Sequence, residues 1–167
     1  QCSKQALKAV DQLSERSINE EVHQHRYDVF YINVRSFKKH ELDLFHDLFA
    51  KNSKIICLTE TWIDPNVKSP VVIESCGKIM HHASFGKGKG ACILSPSEKT
   101  QAFTVCTRNF QLVSIHAFDL QLTVIYISPQ EADLCSVAKA LEQTMDMGLP
   151  QMIVGDFNFH SGRTNSL

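Results

Sequence analysis

The sequence predicts an α/β protein, a two-sheet α/β sandwich in which two β-sheets pack face to face. A strand–helix–strand pattern opens the domain, several strands separated by turns follow, and a second helix leads into a last strand. A chain of 167 residues with 43% hydrophobic and 21% charged residues is typical of one globular domain with a sizeable core. The formal net charge of −1 means that any surface for nucleic acid has to be a local group of basic residues.

Residues 1–26 are predicted to form a short helix and a linker ahead of the domain, which covers residues 27–167. Apolar residues recur at helical spacing between residues 3 and 19. They are Ala6, Leu7, Val10 and Leu13. The residues that follow are polar and indicate a linker.

The first strand is expected at residues 27–34, where the sequence YDVFYINV is rich in β-branched and aromatic residues. Ser36 is suited to cap a helix over residues 38–51. The apolar face of this helix is expected to contain Leu42, Phe45, Leu48 and Phe49.

A second strand is expected at residues 54–59, which are apolar without alternation and therefore favour burial on both faces. Strand, helix and strand form a right-handed βαβ unit with parallel strands. Asn33 and Glu60 end these two strands, so they are expected at the same edge of the sheet.

Shorter strands are expected through the middle of the chain, and the turns between them predict an antiparallel meander. Their ranges are 71–73, 78–81, 91–94, 102–106, 110–117 and 120–127. The basic loop Phe85–Gly90 lacks the spacing of a phosphate-binding P-loop and favours a hairpin turn. Phe118-Asp119 is expected to join the last two strands tightly. A helix over residues 131–147 with Gly148 as its C-cap should follow. Its expected apolar stripe contains Leu134, Val137, Leu141 and Met145.

The last strand carries the residues Met152–Gly155, after which the chain becomes polar. Asp156 and Asn158 are two residues apart, a spacing that in a strand places both side chains on one face. A cleft beyond the strand ends is where α/β sheets usually place their chemistry. Asp and Asn after a strand are equally typical of a simple Asx turn, so both interpretations stand at this point.

The six cysteines show no CxxC or zinc-ligand spacing, which favours a reduced, intracellular protein. No apolar run reaches the 18 residues of a membrane span, and the N-terminus has no signal-peptide core. The chain begins with Gln, so we expect it to be a piece of something longer.

Five motifs together resemble those of the endonuclease/exonuclease/phosphatase (DNase I-like) superfamily, and most of all the endonuclease domains of non-LTR retrotransposons. The resemblance runs from about Tyr27 to His160. The motifs are INVRS at 32–36, IICLTETW at 55–62, GKGACI at 88–93, VIY at 124–126 with Pro129, and IVGDFN at 153–158.

This resemblance implies a metal-dependent phosphodiesterase that nicks DNA. Carried over by motif, Glu60 would hold Mg²⁺ or Mn²⁺ with Asn33 beside it, and Asp156 would orient or activate the attacking water. Asn158 would position that water or a phosphate oxygen, and Tyr126 would contact the phosphate. Oxygen ligands suit such hard cations, and amide and phenol groups can donate hydrogen bonds to the phosphate oxygens.

The chain departs from the superfamily pattern in two places. Arg35 stands where AP endonucleases carry Asp, which favours the retrotransposon type over a repair enzyme. The superfamily closes with strands bearing a second Asp and a Ser-Asp-His segment, and the 167 residues contain neither after Asn158. We therefore expect a second sheet without its C-terminal strands, and a chain that by itself does not cleave DNA. His160 and His116 are the candidates to replace the missing histidine.

The resemblance implies further partners: DNA, bound weakly, and a reverse transcriptase in a longer polyprotein acting in the nucleus. Two alternatives stand beside this reading. One is a phosphoesterase of the same superfamily acting on lipid or inositol phosphates, and the other is a non-catalytic remnant of the domain.

Overall fold

The computed structural model describes residues 28–96, 100–129 and 134–158. The predicted helix at residues 3–19, the linker after it and His160 lie outside these residues. The strands are β1 (Val29–Asn33), β2 (Ile55–Thr59), β3 (Val71–Ile73), β4 (Lys78–Ala83), β5 (Ala91–Ser95), β6 (Ala102–Cys106), β7 (Phe110–Ala117), β8 (Leu120–Ile127) and β9 (Gln151–Asp156). The helices are α1 (Phe37–His46), α2 (Leu48–Asn52) and α3 (Leu134–Thr144).

Two sheets form the two-sheet α/β sandwich that the sequence predicts. The first sheet has the order β1-β2-β5-β4-β3 and the second the order β6-β7-β8-β9. The predicted βαβ unit is confirmed, since β1 and β2 are parallel with Asn33 opposite Thr59. β8 and β9 are also parallel, with Tyr126 opposite Asp156.

Three apolar clusters hold the layers together. The largest lies between the sheets and joins residues such as Ile55 and Ile93 of the first sheet to Val113 and Leu122 of the second. A second cluster packs α1 and α2 on the outer face of the first sheet, and a third packs α3 on the outer face of the second. Both faces of the first sheet's centre are therefore covered, which explains why all five residues of β2 are buried as predicted.

The helix predicted at residues 38–51 is wrong as a single helix with one apolar stripe. Asp47 is extended and divides it, because the Asp47 side chain accepts hydrogen bonds from the backbone N–H groups of residues 49 and 50 and so caps α2. The break rotates α2 away from the predicted stripe. In α2, Leu48 and Phe49 are 71% and 78% exposed and Ala50 is buried. In α1, which precedes the break, Phe37 and Leu44 form the contact face with Phe45 partly buried, and Leu42 is 69% exposed. Ser36 precedes α1 but its side chain makes no capping hydrogen bond.

Two further expectations are corrected. The residues expected at 91–94 form β5 of the first sheet, so the meander of the second sheet contains only β6, β7 and β8. α3 ends at Thr144, which makes Gly148 part of the following turn rather than a C-cap; its N–H donates to the Asp146 side chain. Val137 and Ala140 are buried as the contact face of α3, and Leu134 is 53% exposed.

Gly155 allows β9 to lie against β8. A Cβ placed on Gly155 would overlap the backbone carbonyl of Ile125, its partner in the ladder. The glycine before Asp156 is therefore a packing requirement that brings the end of β9 close to Tyr126. None of the helices in the described part of the chain has the length and apolar character that crossing a membrane requires.

Candidate active site

The carboxyl ends of β1, β2 and β9 meet at one end of the sandwich, and the backbone that leaves each of them is strained. Seven non-glycine residues in the described part of the chain have positive φ, and five of them directly follow these three strands. They are Arg35, Ser36, Glu60, Trp62 and Asn158. Each such residue costs on the order of 1–3 kcal/mol, and such strain clusters where a site needs a particular geometry.

Backbone hydrogen bonds join the segments that leave β1 and β2. The N–H groups of Ser36 and Phe37 donate to the carbonyls of Glu60 and Thr61, each at 2.8 Å. These bonds continue the β1–β2 ladder past the ends of the strands, and they hold Glu60 in its left-handed conformation (φ 50°). The Glu60 side chain is thereby placed above the edge of the first sheet.

Asn33 connects the two sheets at this end. Its side-chain Nδ2 donates to Glu60 Oε1 at 2.7 Å and to Asp156 Oδ2 at 3.2 Å. Its Oδ1 accepts from the backbone N–H of Arg35 at 3.3 Å. The structure thus brings together three of the residues singled out from the sequence, one of them 123 positions away along the chain.

Of the two interpretations of the Asp156–Asn158 pair, the Asx turn is present, whereas the strand spacing does not apply because β9 ends at Asp156 and Asn158 has a φ of 48°. The N–H of Asn158 donates to Asp156 Oδ1 at 3.3 Å, which is an Asx-type turn, while Asp156 Oδ2 faces Asn33. The Asn158 side chain donates to the carbonyl of Ile127 at 2.8 Å. Asn158 therefore lies beside Asp156 and is tied to the end of β8, without a hydrogen bond to Glu60 or Asn33.

Two tyrosines face the carboxylates. Tyr126 lies opposite Asp156 in the β8–β9 ladder, and its pKa is raised by burial and then by the negative charges of Glu60 and Asp156. Burial also raises the pKa of Tyr31, with a smaller contribution from the same two charges, and its hydroxyl lies 3.0 Å from Thr59 Oγ1. We did not predict Tyr31 from the sequence, although its position two residues before Asn33 on β1 was a usable signal.

The donor set at this end suits a hard divalent cation. Carboxylate oxygens of Glu60 and Asp156 converge on the Asn33 carboxamide, so two negative groups already share one positively polarised partner. A Mg²⁺ or Mn²⁺ ion takes oxygen ligands and keeps several waters, so it needs few protein ligands, and the carboxylates of Glu60 and Asp156 could supply them. The Asn33 carboxamide turns its nitrogen toward both carboxylates and its oxygen toward the N–H of Arg35, so Asn33 offers the carboxylates a donor. In the described part of the chain, no group of three or more His, Cys, Asp or Glu residues is arranged to hold a metal.

His116 is not a substitute for the missing histidine. It pairs with Gln121 at the opposite end of the β7–β8 ladder, where its Nε2 lies 4.0 Å from Asp146. His40 lines a cavity of about 310 Å³ between β1 and α1, together with Asn33 and Arg35, and neither Glu60 nor Asp156 lines this cavity. Its Nδ1 lies 3.2 Å from Asp43 Oδ2, an i, i+3 pair on α1.

The loop Phe85–Gly90 is the predicted hairpin turn, joining β4 to the antiparallel β5. The Lys89 carbonyl accepts a hydrogen bond at 3.0 Å from the backbone N–H of Trp62, two residues after Glu60. The Lys87 ammonium lies 5.9 Å from the centre of the Trp62 ring, within cation–π range. The hairpin therefore places the Lys87 side chain beside the segment that follows Glu60.

Comparison with solved structures decides the fold. An AP endonuclease from Archaeoglobus fulgidus superposes with a TM-score of 0.58 at 15% identity, over 77% of this chain and 56% of that one. The chain has the DNase I-like fold. The 3′ phosphatase NExo from Neisseria, solved with a product DNA hairpin, gives a TM-score of 0.56 at 15% identity over 78% of this chain and 57% of that one.

A third DNase I-like structure is the endonuclease domain of TRAS1, a telomere-specific non-LTR retrotransposon. It superposes with a TM-score of 0.52 at 18% identity over 80% of this chain and 61% of that one. The chain thus spans less than two thirds of the length of each of these three structures. No protein-family profile matches the sequence, and no curated protein sequence matches it significantly. The resemblance drawn from the motifs is confirmed at the level of the DNase I-like fold.

Proposed function

We propose that these residues form the metal- and phosphate-holding part of a DNA-nicking phosphodiesterase of the retrotransposon type. The observation that supports this most directly is the Glu60–Asn33–Asp156 cluster, assembled from both sheets at the end where the strands terminate. Support of a general kind comes from the fold shared with an AP endonuclease and with a retrotransposon endonuclease domain.

In this proposal Glu60 holds the cation with Asn33 beside it, and Asp156 orients or activates the attacking water. Mg²⁺ or Mn²⁺, when bound, would neutralise charge that builds on the phosphate and the leaving oxygen. Tyr126, whose raised pKa keeps its hydroxyl protonated, would donate to a phosphate oxygen. Asn158 would position that water or a phosphate oxygen, with the carboxamide oxygen or the N–H that is not donated to the Ile127 carbonyl.

The proposal includes DNA as substrate, a reverse transcriptase in the same polyprotein and action in the nucleus. The net charge of −1 offers little long-range attraction to phosphates, so we expect weak duplex binding that disappears near 150 mM salt. Lys87 and Arg35 are exposed near the cluster and are the expected phosphate contacts.

Metal binding tests the assignment directly. Titration of Mn²⁺ followed by water-proton relaxation should show a weak site that Glu60→Gln weakens further. The matched control is Glu74→Gln, an exposed carboxylate in the turn between β3 and β4. Equal Mn²⁺ affinity in the parent and in Glu60→Gln would show that Glu60 is not a ligand.

Nicking of supercoiled plasmid in Mg²⁺ tests the chemistry. The 167-residue chain contains no Ser-Asp-His after Asn158, and we expect no nicking beyond that of an Asp156→Ala control. General acid–base and electrostatic contributions are each worth roughly 10²–10⁴-fold, so losing them leaves little rate. Nicking that the control abolishes would overturn this expectation, and His160, the other histidine singled out from the sequence besides His116, would then be the first to replace.

A further inference from the structure

We infer that Gln111 is a positioning residue. It holds the basic β4–β5 hairpin loop, Phe85–Gly90, against the segment that follows β2, and so it places Lys87 and Trp62 for contact with a DNA strand. This inference rests on the proposed function for its ligand, and it rests on the geometry of the two sheets for the role of Gln111. The hairpin belongs to the first sheet and Gln111 to the second.

Gln111 lies in one cross-strand row with the candidate catalytic residues. It is opposite Tyr126 in the β7–β8 ladder, and Tyr126 is opposite Asp156 in the β8–β9 ladder. Directly opposed residues point to the same face of a sheet, and Tyr126 belongs to the cluster between the sheets. Gln111 is fully buried on this inner face, so its amide has to find polar partners inside the protein.

Its partners are on the hairpin and on the β6–β7 turn. Gln111 Oε1 accepts from the backbone N–H of Gly90 at 3.1 Å, across the sandwich, and its Nε2 donates to the carbonyl of Thr107. A Cβ on Gly90 would overlap Thr61 Oγ1, so the backbone at Gly90 is also pressed against the segment that follows β2. Gly90 is thereby held on two sides, by Gln111 and by Thr61.

Other bonds join the same two turns. Lys89 Nζ donates to the carbonyl of Arg108 at 2.6 Å, and Cys106 Sγ lies 3.1 Å from the carbonyl of Ser84. Lys89 and Cys106 are less buried than Gln111. The Gln111–Gly90 bond is buried, and a buried bond lost without replacement costs more than one open to water. We therefore expect the hairpin to become more mobile when the hydrogen bond between Gln111 and Gly90 is removed.

The released hairpin would move the Trp62–Lys87 pair. The backbone N–H of Trp62 donates to the Lys89 carbonyl, and the Trp62 ring lies under the Lys87 ammonium. Aromatic rings and basic side chains together suit a nucleic-acid strand, through stacking and phosphate contact. Lys87 supplies a phosphate contact only while the hairpin keeps its place beside Trp62.

The single tryptophan of the chain gives a readout that requires no DNA. Gln111→Met should increase acrylamide quenching of Trp62 fluorescence in the native state, and the shorter Gln111→Asn should do the same if the first variant is too unstable. The matched control is Gln121→Met. Gln121 is equally buried, but it ties the end of α3 and sits at the far end of the sandwich. Equal quenching in the Gln111 and Gln121 variants would overturn the positioning role.

A double-mutant cycle tests the connection to DNA. Lys87→Gln should reduce the slope of log affinity against log salt by about 0.9 in the parent, the value for one phosphate contact. In the Gln111→Met background the same change should have almost no effect, and Mn²⁺ affinity should be unaltered in both. Additive effects would refute the inference. A parent chain that binds Mn²⁺ but no DNA would refute the DNA contact, while the quenching result would still decide how the hairpin is held.

Discussion

Replacing Asn33 should reveal how much the carboxylate pair depends on one carboxamide. Asn33→Ala removes hydrogen bonds of 2.7 and 3.2 Å to two carboxylates and leaves those groups facing each other. Hydrogen bonds to charged groups contribute about 1.5–3 kcal/mol each, and partial exposure places these near the lower end. We expect the free energy of unfolding to fall by about 2–4 kcal/mol.

A double-mutant cycle of Asn33→Ala with Glu60→Gln, measured by urea denaturation, separates the energy of the Asn33–Glu60 interaction from the other effects of replacing Asn33. A coupling of about 1–2 kcal/mol between Asn33 and Glu60 is expected for residues in direct contact. Substitution of Asn66, an exposed residue in the loop after β2, by Ala is the control and should couple to Glu60→Gln by less than about 0.5 kcal/mol. A coupling near zero for Asn33 would mean that the hydrogen bond contributes no stability.

Asn33→Asp extends the same reasoning to the metal. A third carboxylate at this point should make the metal-free protein less stable than Asn33→Ala, because like charges then face one another without a donor. Saturating Mg²⁺ should reverse that order, since a ligand that binds only the folded state stabilises it by RT ln(1 + [L]/Kd). If Mg²⁺ raises the stability of both variants equally, the three side chains do not share a cation.

Three further outcomes are expected. Burial lowers the pKa of His81 and His82, so the folded state favours their neutral forms. Their contribution to stability should be full above about pH 6.5 and should fall as the pH drops below that value. The midpoint of urea unfolding should therefore decrease between pH 7 and pH 5, and it should decrease less in His82→Met. Gly155→Ala should lower the free energy of unfolding by at least about 2 kcal/mol because the added Cβ has no room beside β8, whereas Gly148→Ala should change it little. Thermal unfolding that ranks the two variants the other way would contradict the β8–β9 packing. Burial raises the pKa of Cys57 to about 12, so iodoacetamide should label the exposed Cys135 and spare Cys57 until the protein unfolds, as read by mass spectrometry.

Features that depend on the local sequence or on the parallel pairing of neighbouring strands were predictable from the sequence. The unbroken apolar run of β2 indicates burial on both faces, and parallel pairing of β1 and β2 places Asn33 and Glu60 side by side. Both conclusions follow from the period of the side chains and from the geometry of a βαβ unit. They require no knowledge of how the two sheets meet.

Features that depend on packing between layers were not predictable in this way. Asp156 reaches Asn33 only because the two sheets stack with β9 beside the β1–β2 edge, and no local pattern encodes that register. The break at Asp47 was hidden because the apolar spacing of α1 continues through it, while the side chain that caps α2 is itself the interruption. Gln111 looked like an ordinary strand residue until its partner on the opposite sheet was known.

The bond between Asn33 and Asp156 spans nearly the whole described chain, and this has a consequence for biosynthesis. A ribosome adds about 5–20 residues per second, so the first sheet can form seconds before β9 is made. During that interval Glu60 and Asn33 are present without their partner Asp156, so the cluster of the two carboxylates and the carboxamide is incomplete. Long-range pairings of this kind also fold slowly, because the cost of closing the loop precedes the gain. The Glu60–Asn33–Asp156 cluster can therefore form only after β9 has paired with β8.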